Sequence, residues 1–295
     1  MMLISVILLN YNKPNLTLAC MSSLKTNFSK ELLENSMEII IVDNASSDNS
    51  VEILKKEIKI KNYLSVHLIS SDKNNGFGKG CNIAAETAKG KYLLFLNNDT
   101  IVKDKGILDM AKFLDKNKLV SILGGQLKNP DGSRQTSVGS FYTLGKAILL
   151  LLGFQRFGVL DRSPNNITKV DWVKGGLFMI RSEAFNRLGG FDEKIFMYTE
   201  DMELCYRAKK MGFQIYFYPD IEVVHKEHGS TNRTFAIVNI YKNLLYFYKK
   251  HRTYLEYFVL KLILVTKALV LIFLGALIGS NYLKSTYKQA LQNIE

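Results

Sequence analysis

The chain has 295 residues, of which 47% are hydrophobic and 22% charged, and its net charge is +12. This composition supplies a core for one large domain, or one domain with an appendage, and excludes intrinsic disorder. The three cysteines, Cys20, Cys81 and Cys205, are far apart and odd in number, so a disulfide framework and a cysteine zinc site are excluded and a reducing compartment fits best.

The positive charge is uneven. From Arg207 to Glu295 there are 13 Lys/Arg against 5 Asp/Glu, a balance that suits nucleic acid, anionic lipid or an anionic substrate. The N-terminus, MMLISVILLN, has no basic region and enters a strand pattern at once, so no signal peptide is expected. Residues 3–9 predict a strand, followed by a polar loop from Asn10 to Pro14 and a helix near 15–27. A second strand, 37–42, ends at Asp43; 44-NASSDNS-50 reads as a loop and helix cap before a helix at 50–60. A strand at 64–70, the run 72-DKNNGFGKG-80 and a helix at 80–89 come next. Residues 91–96 form an unalternating apolar strand ending at 97-NND-99, the pattern of a strand covered on both faces. Strands and helices alternating in this way predict a mostly parallel sheet.

Further on, the pattern predicts a helix at 104–118, a strand at 120–127, the turn 129-NPDG-132 and a surface helix at 144–160. Gly175-Gly176 precedes a strand ending near 181; helix 182–188 stops at Gly189-Gly190, helix 200–211 at Gly212, and strand 213–218 at Pro219. Residues 241–258 are crowded with Tyr, Phe, Lys and Arg, and 258–279 are almost wholly apolar apart from Lys261, Thr266 and Lys267. Three readings stay open for that apolar run: a helix lying in a membrane interface, a helix packed within the chain or against a second copy in a homodimer, and a true span, which the central lysine disfavours.

The strand ends carry the polar residues that chemistry needs. No glycine-rich phosphate fingerprint follows the first strand, which disfavours an ordinary dinucleotide site; Tyr11 is suited to stack on a base, or the loop is simply capped. Asp43 reads either as an acceptor for a base N–H or ribose hydroxyl, or as a helix cap. The run 74-NNGFGKGCN-82 meets a phosphate or is a plain turn, and is not a P-loop. Asp99 is a hard oxygen ligand for Mg2+ or Mn2+, or part of a turn. Glu200, Asp201 and Glu203 open a helix, where the dipole favours carboxylates, and a carboxylate there is also placed to act as a general base. His225 of 225-HKEH-228 is a metal ligand or a surface histidine.

The ordered set LISVILLNYNKP, IIIVDNASSDNS, NNGFGKGCNIAAETAKGKYLLFLNNDT, GGLFMIRSEAFNRLGGFDEKIFMYTEDMELCYRAKKMGF and HKEHGS resembles family 2 of the inverting glycosyltransferases over roughly residues 3–232, and looks most similar to its rhamnosyltransferase-like branch. The resemblance implies a GT-A fold, a Rossmann-like α/β domain with a mixed, mostly parallel central sheet flanked by helices over 1–235. A basic, aromatic and apolar helical region over 236–295 would be a membrane-associating or dimerising appendage. It implies that Asn10 and Tyr11 embrace the nucleotide base, that Asp43 reads it, and that Asn74, Gly80 and Asn82 belong to the nucleotide-side segment. It sets Asn97–Asn98–Asp99 at the family's D-x-D motif with Asp99 on the metal, Gly175 and Gly176 at the donor-sugar wall, Glu200 and Asp201 as the acidic pair with Asp201 the base, and His225 as a second metal contact. One departure stands out: the first D-x-D position is Asn97, which lowers ligand charge and metal affinity.

The function implied is transfer of a sugar, rhamnose from dTDP-rhamnose first, to a hydroxyl of a cell-surface glycan or lipid-linked acceptor, with a divalent cation. The setting implied is cytoplasmic, at the inner face of the cell membrane, with peripheral contact through the C-terminal region and no nucleic acid. A UDP-sugar donor is the alternative within the class. A nucleotidyltransferase lacks its expected glycine-rich first loop here. A non-catalytic nucleotide-sugar or nucleic-acid binding protein is the reading from a different class, and its basic residues would be expected to interleave with a binding motif rather than flank an apolar run.

Overall fold

The computed structural model describes residues 2–60, 65–151, 161–226 and 232–294. In chain order these form β1 (Ile4–Asn10), α1 (Pro14–Leu33), β2 (Met37–Asp43), α2 (Ser50–Ile60), β3 (Val66–Ser70), α3 (Gly76–Thr87), β4 (Tyr92–Leu96), β5 (Thr100–Val102), α4 (Gly106–Lys116), β6 (Val120–Lys128), β7 (Val138–Gly139) and α5 (Leu144–Leu151). Then come β8 (Asp161–Arg162), β9 (Thr168–Lys169), β10 (Trp172–Val173), β11 (Leu177–Arg181), α6 (Ser182–Leu188), α7 (Glu200–Lys210), β12 (Gln214–His225), α8 (Arg233–His251), α9 (Tyr254–Leu277) and α10 (Asn281–Gln292). The chain divides into two compact units: Met1–Ser140, Arg162–Phe196 and Glu200–Gly229 form one, and Phe141–Asp161, Met197–Thr199 and Ser230–Glu295 the other.

The first unit is built on one mixed sheet in the order β3-β2-β1-β4-β11-β6-β12-β5, with β9 added to β12. Strands β1, β2, β3 and β4 pair in parallel, as do β6 and β12, while β11 runs antiparallel between β4 and β6. A smaller sheet has the order β10-β7-β8. The apolar runs follow from burial on both faces. Val6, Leu8, Ile39, Ile41, Leu94 and Leu96 face a core with Met21, Leu24 and Phe28 of α1, Leu54 of α2 and Met110 and Leu114 of α4. On the other face Phe95 and Phe178 stack edge-on or tilted with Phe185 and Phe191. The strand order reverses between β1 and β4, and the crevice at the carboxyl ends of such strands is where open α/β sheets hold ligands.

Several boundaries differ from those expected. Helix α1 breaks at Phe28 (φ −125°, ψ 29°), next to the end expected at 27, and a second helical segment carries it on to Leu33 with Leu32 buried. Helix α3 starts at Gly76, so most of the glycine-rich run is helical instead of loop. Strand β12 does not stop at Pro219: its register to β6 slips between Tyr218 and Glu222, and the residues between bulge out, so the prolyl nitrogen needs no ladder partner. That bulge lets the strand run on to His225. Residue 64 of the expected third strand, residues 152–160 of the expected surface helix and residues 227–231 after HK lie outside the described residues.

The second unit contains α5, α8, α9 and α10. Helix α9 begins with a capping box between Thr253 and Glu256 and buries Leu260, Leu264, Ala268 and Gly275 on one stripe, against α8, α10 and α5. At Gly275 an added Cβ would lie 2.9 Å from the Leu283 Cβ, so α10 crosses close at this point. The opposite stripe is exposed, with Leu255, Phe258, Leu262, Leu269, Phe273 and Leu277.

Candidate active site

The parallel pairing of β1 with β2 sets Asn10 beside Asp43. Asn10 Nδ2 donates to Asp43 Oδ2 at 2.7 Å, and Ser46 donates to the same carboxylate from its N at 2.9 Å and its Oγ at 2.7 Å. Both Asn10 and Asp43 are buried. Asn12 is left-handed (φ 52°) and its Oδ1 accepts from Ser47 N at 2.8 Å. The loops after β1 and β2 are thereby tied into one rim, and Tyr11 between them is 46% exposed. Asn10 Oδ1 accepts from Thr17 Oγ1 at 2.7 Å, which in turn accepts from Asn98 Nδ2 at 2.9 Å. A single chain of hydrogen bonds therefore joins Asp43, Asn10, Thr17 and Asn98.

The glycine-rich segment serves packing as well. Asn74 Oδ1 accepts from Gly76 N and from Asn44 Nδ2, and Gly76 has φ +74°, with an added Cβ only 2.0 Å from the Phe196 oxygen. At Gly80 an added Cβ would lie 2.5 Å from Leu9 Cδ1, so this glycine lets α3 approach β1. The Asn82 amide donates to Phe191 O and accepts from Phe191 N, both at 2.9 Å, so it fixes the turn after Gly190. Gly80 and Asn82 thus engage β1 and that turn rather than the cluster described next.

Asn97, Asp99 and His225 come together. Strand β5 lies antiparallel on β12, with Thr100 opposite His225, and Asp99 precedes that pair. His225 Nε2 is 3.3 Å from Asp99 Oδ1 and 3.2 Å from Asn97 Nδ2. Asp99 is 7% exposed. Among the described residues no three His, Cys, Asp or Glu groups converge; the donors are one carboxylate, one imidazole and an adjacent amide. That set fits Mg2+ or Mn2+, because magnesium is commonly held by one or two protein ligands with substrate phosphate oxygens completing its shell.

The acidic pair lies at the first turn of α7. Asp201 Oδ2 accepts from Gly175 N at 3.0 Å and Oδ1 from Met202 N at 2.7 Å. Gly176 O receives Asn97 N at 3.4 Å. The dipeptide Gly175-Gly176 therefore links Asp201 to the Asn97–Asp99 run. Glu200 is 7% exposed and its Oε2 has no hydrogen-bond partner among the described residues. Burial, with the neighbouring Asp201 charge second, pushes the Glu200 carboxyl up to about 8. The two residues before it, Tyr198 and Thr199, are left-handed at φ 69° and 70°, a conformation that non-glycine residues adopt at a cost.

Thr17, Ser46 and Gln135 are absent from the residues picked out in the sequence. Thr17 and Ser46 bind the strand-end residues; Gln135 binds both the ring and the backbone carbonyl of His225. Ser46 lies in the run 44-NASSDNS-50, where it reads only as part of a cap, and Thr17 and Gln135 stand in no motif. Their partners are 7 to 90 residues away in the chain or share only a loop.

Over residues 5–189 the chain matches the family described as Glycosyl transferase family 2, and over 166–229 that described as the N-terminal domain of galactosyltransferase. It is 31% identical to Rhamnosyltransferase WbbL of Escherichia coli, across 71% of this chain and 82% of that protein. It is 25% identical to N-acetylglucosaminyl-diphospho-decaprenol L-rhamnosyltransferase of Mycobacterium tuberculosis, across 68% and 70%. Two solved structures share the fold. One is the mannosyltransferase PcManGT of Pyrobaculum calidifontis with GDP-Man and Mn2+, at a TM-score of 0.61 and 14% identity, covering 98% of this chain and 85% of that one. The other is GalNAc-T7 with UDP, GalNAc and Mn2+, at 0.63 and 19%, covering 84% of this chain and 48% of that one, so the chain spans about half of GalNAc-T7.

Proposed function

The chain belongs to glycosyl transferase family 2, and from that membership we propose the reaction of this glycosyltransferase: inverting transfer of rhamnose from dTDP-rhamnose to a hydroxyl of a cell-surface glycan or lipid-linked acceptor. The observation that carries the reading is the Gly175-Gly176 link, which joins a carboxylate oriented by two backbone N–H groups to the Asn97–Asp99 run. That both relatives are rhamnosyltransferases favours rhamnose over other sugars.

In this reading Asp201 takes the proton of the acceptor hydroxyl as its oxygen attacks the anomeric carbon, and the bond to the nucleoside diphosphate breaks on the opposite face. A single displacement inverts that carbon and needs no covalent intermediate. Asp99 and His225, with the Asn97 side chain beside them, would hold a divalent cation, which when bound supplies charge neutralisation for the departing diphosphate. Tyr11 stacks on the base, and Asp43, oriented by Asn10 and Ser46, reads its edge. Asn98, reached from Asn10 through Thr17, faces the diphosphate side. Gly175 and Gly176 leave room for the donor sugar. The enzyme works at the inner face of the cell membrane, held there by the second unit.

The test is transfer of labelled sugar to an N-acetylglucosaminyl diphosphate lipid, with dTDP-rhamnose or UDP-sugars as donor. Turnover is expected with dTDP-rhamnose. Asp201→Asn should lower kcat by about 10²–10⁴-fold, the usual worth of a general base, while the thermal shift given by dTDP stays as in the wild type. Turnover with UDP-sugars alone would overturn the donor, and undiminished turnover in the variant would overturn the base.

A further inference from the structure

We infer that Gln135 is a positioning residue that locks His225 in one tautomer and leaves its Nε2 lone pair available to a divalent cation beside Asp99. The inference rests on the reading of Asp99 and His225 as cation ligands. The geometry does not leave the orientation of either side chain free. Gln135 lies 2.9 Å through Nε2 from the His225 backbone oxygen and 2.7 Å from Asn129 Oδ1. The first of these is a carbonyl and can only accept, so the Gln135 atom facing it must be the NH2 group. The other amide atom, Oε1, then faces His225 Nδ1 at 2.8 Å. An amide oxygen can only accept, so Nδ1 carries a proton, and in the neutral ring the lone pair is then on Nε2.

That lone pair points into the cluster. Nε2 accepts from Asn97 Nδ2 at 3.2 Å and stands 3.3 Å from Asp99 Oδ1. A carboxylate oxygen and an imidazole lone pair this close repel each other unless something positive lies between them, either a bound cation or a second ring proton. Gln135 is itself held firmly. It is 5% exposed, its N donates to Leu127 O at 2.9 Å, and its O accepts from Gln126, Ser137 and Ser163. A ligating histidine is commonly oriented by a partner on its other nitrogen, and loss of such a partner weakens metal affinity by about 10–100-fold.

The experiment uses the full chain and Mn2+ alone. Long-range proton–nitrogen NMR of the histidine rings, assigned with His225→Asn, reads the tautomer; electron paramagnetic resonance reads free Mn2+ in a titration. The wild type should show His225 protonated at Nδ1. Gln135→Met removes acceptor and donor at nearly constant volume, and should mix the tautomers and weaken Mn2+ binding by about 10–100-fold. Gln135→Glu keeps an acceptor for Nδ1–H but loses the donor to the His225 carbonyl and Asn129, so the ring should again be protonated at Nδ1 while Mn2+ affinity returns only in part. A wild-type ring protonated at Nε2 overturns the inference without any variant, and so does unchanged Mn2+ affinity in a folded Gln135→Met. If the Met variant fails to fold, the wild-type tautomer decides without it. Failure of the cation reading has a different signature, an Nδ1-protonated wild type that binds no Mn2+.

Discussion

Two neighbouring carboxylates in the same helical turn are treated in opposite ways. Asp201 has both oxygens occupied by backbone N–H groups, so its direction is fixed. Glu200 is buried with one oxygen unpartnered among the described residues, and burial together with the Asp201 charge raises its pKa to about 8. Environments that drive adjacent acids apart are a mark of divided labour, which is the arrangement the proposed base role of Asp201 needs. The pH consequence has a definite sign. Folded Glu200 keeps its proton up to about 8, whereas an ordinary glutamate loses it near 4.5. Between those values the folded chain binds more protons than the unfolded one, so this group's contribution to stability is complete below about 4.5 and is lost as pH rises through 8. Glu200→Gln removes the titration. Thermal melts from pH 5 to 8.5 should therefore show the wild type falling relative to Glu200→Gln, with the variant the more stable at pH 8.5. Parallel curves for the two proteins would mean that Glu200 is not held neutral.

At the scale of elements, α9 has two stripes with opposite surroundings. Leu260, Leu264 and Ala268 are buried within the second unit, while Leu262, Leu269 and Phe273 are more than half exposed. The helix is 24 residues long, its most apolar 18 residues have a mean hydropathy of 2.4, and only 22% of those are buried. The helix is apolar on both stripes, but one of them is already packed within the second unit and Lys261 and Lys267 lie along the helix, which favours contact of the bare stripe with a membrane interface over a span. Leu262→Ser with Phe273→Ser should leave the melting temperature almost unchanged, since exposed sites usually shift stability by about 0.5 kcal/mol or less. It should abolish sedimentation with neutral lipid vesicles. Retained binding to these vesicles, or a loss of self-association in its place, would reassign this face. The sequence made part of this legible. The strands β1, β2 and β4 were readable because burial on both faces leaves unbroken apolar runs, and their ends delivered Asn10, Asp43 and Asn97–Asp99. The start of α3 was not, because the glycines at 76, 78 and 80 look like a loop, yet at Gly76 and Gly80 they answer to Phe196 and Leu9. The three-residue β5 is too short for a periodic signal, and it exists only because β12 bulges past Pro219 to meet it. The hold of Gln135 on His225 is a tertiary relation across 90 residues and leaves no local pattern.

For the molecule as a whole, the net charge of +12 has a location. Residues 230–295 hold nine Lys/Arg against two Asp/Glu, +7 of the total, and they belong to the unit whose α9 exposes its apolar stripe. Lys249, Lys250 and Arg252 end α8 and turn into α9, and Lys284 and Lys288 lie on α10. Basic charge beside an exposed apolar helix calls for a partner that is anionic and apolar at once, which an anionic lipid surface is and a nucleic acid is not. The two contributions separate by salt. A basic residue near an anionic leaflet is worth about 1 kcal/mol and is screened within a Debye length of about 10 Å at 0.1 M salt, whereas burial of apolar side chains is not weakened by salt. Vesicles containing anionic lipid should therefore bind the full chain more tightly than neutral vesicles at 0.1 M NaCl. At 0.5 M the two should converge on a weaker but finite affinity set by the α9 stripe. If binding vanishes at 0.5 M on both, charge alone holds the protein and the apolar stripe has another partner. If a DNA or RNA duplex competes the chain off anionic vesicles at 0.1 M NaCl, the basic surface is not selective for lipid and the membrane reading fails at its first step.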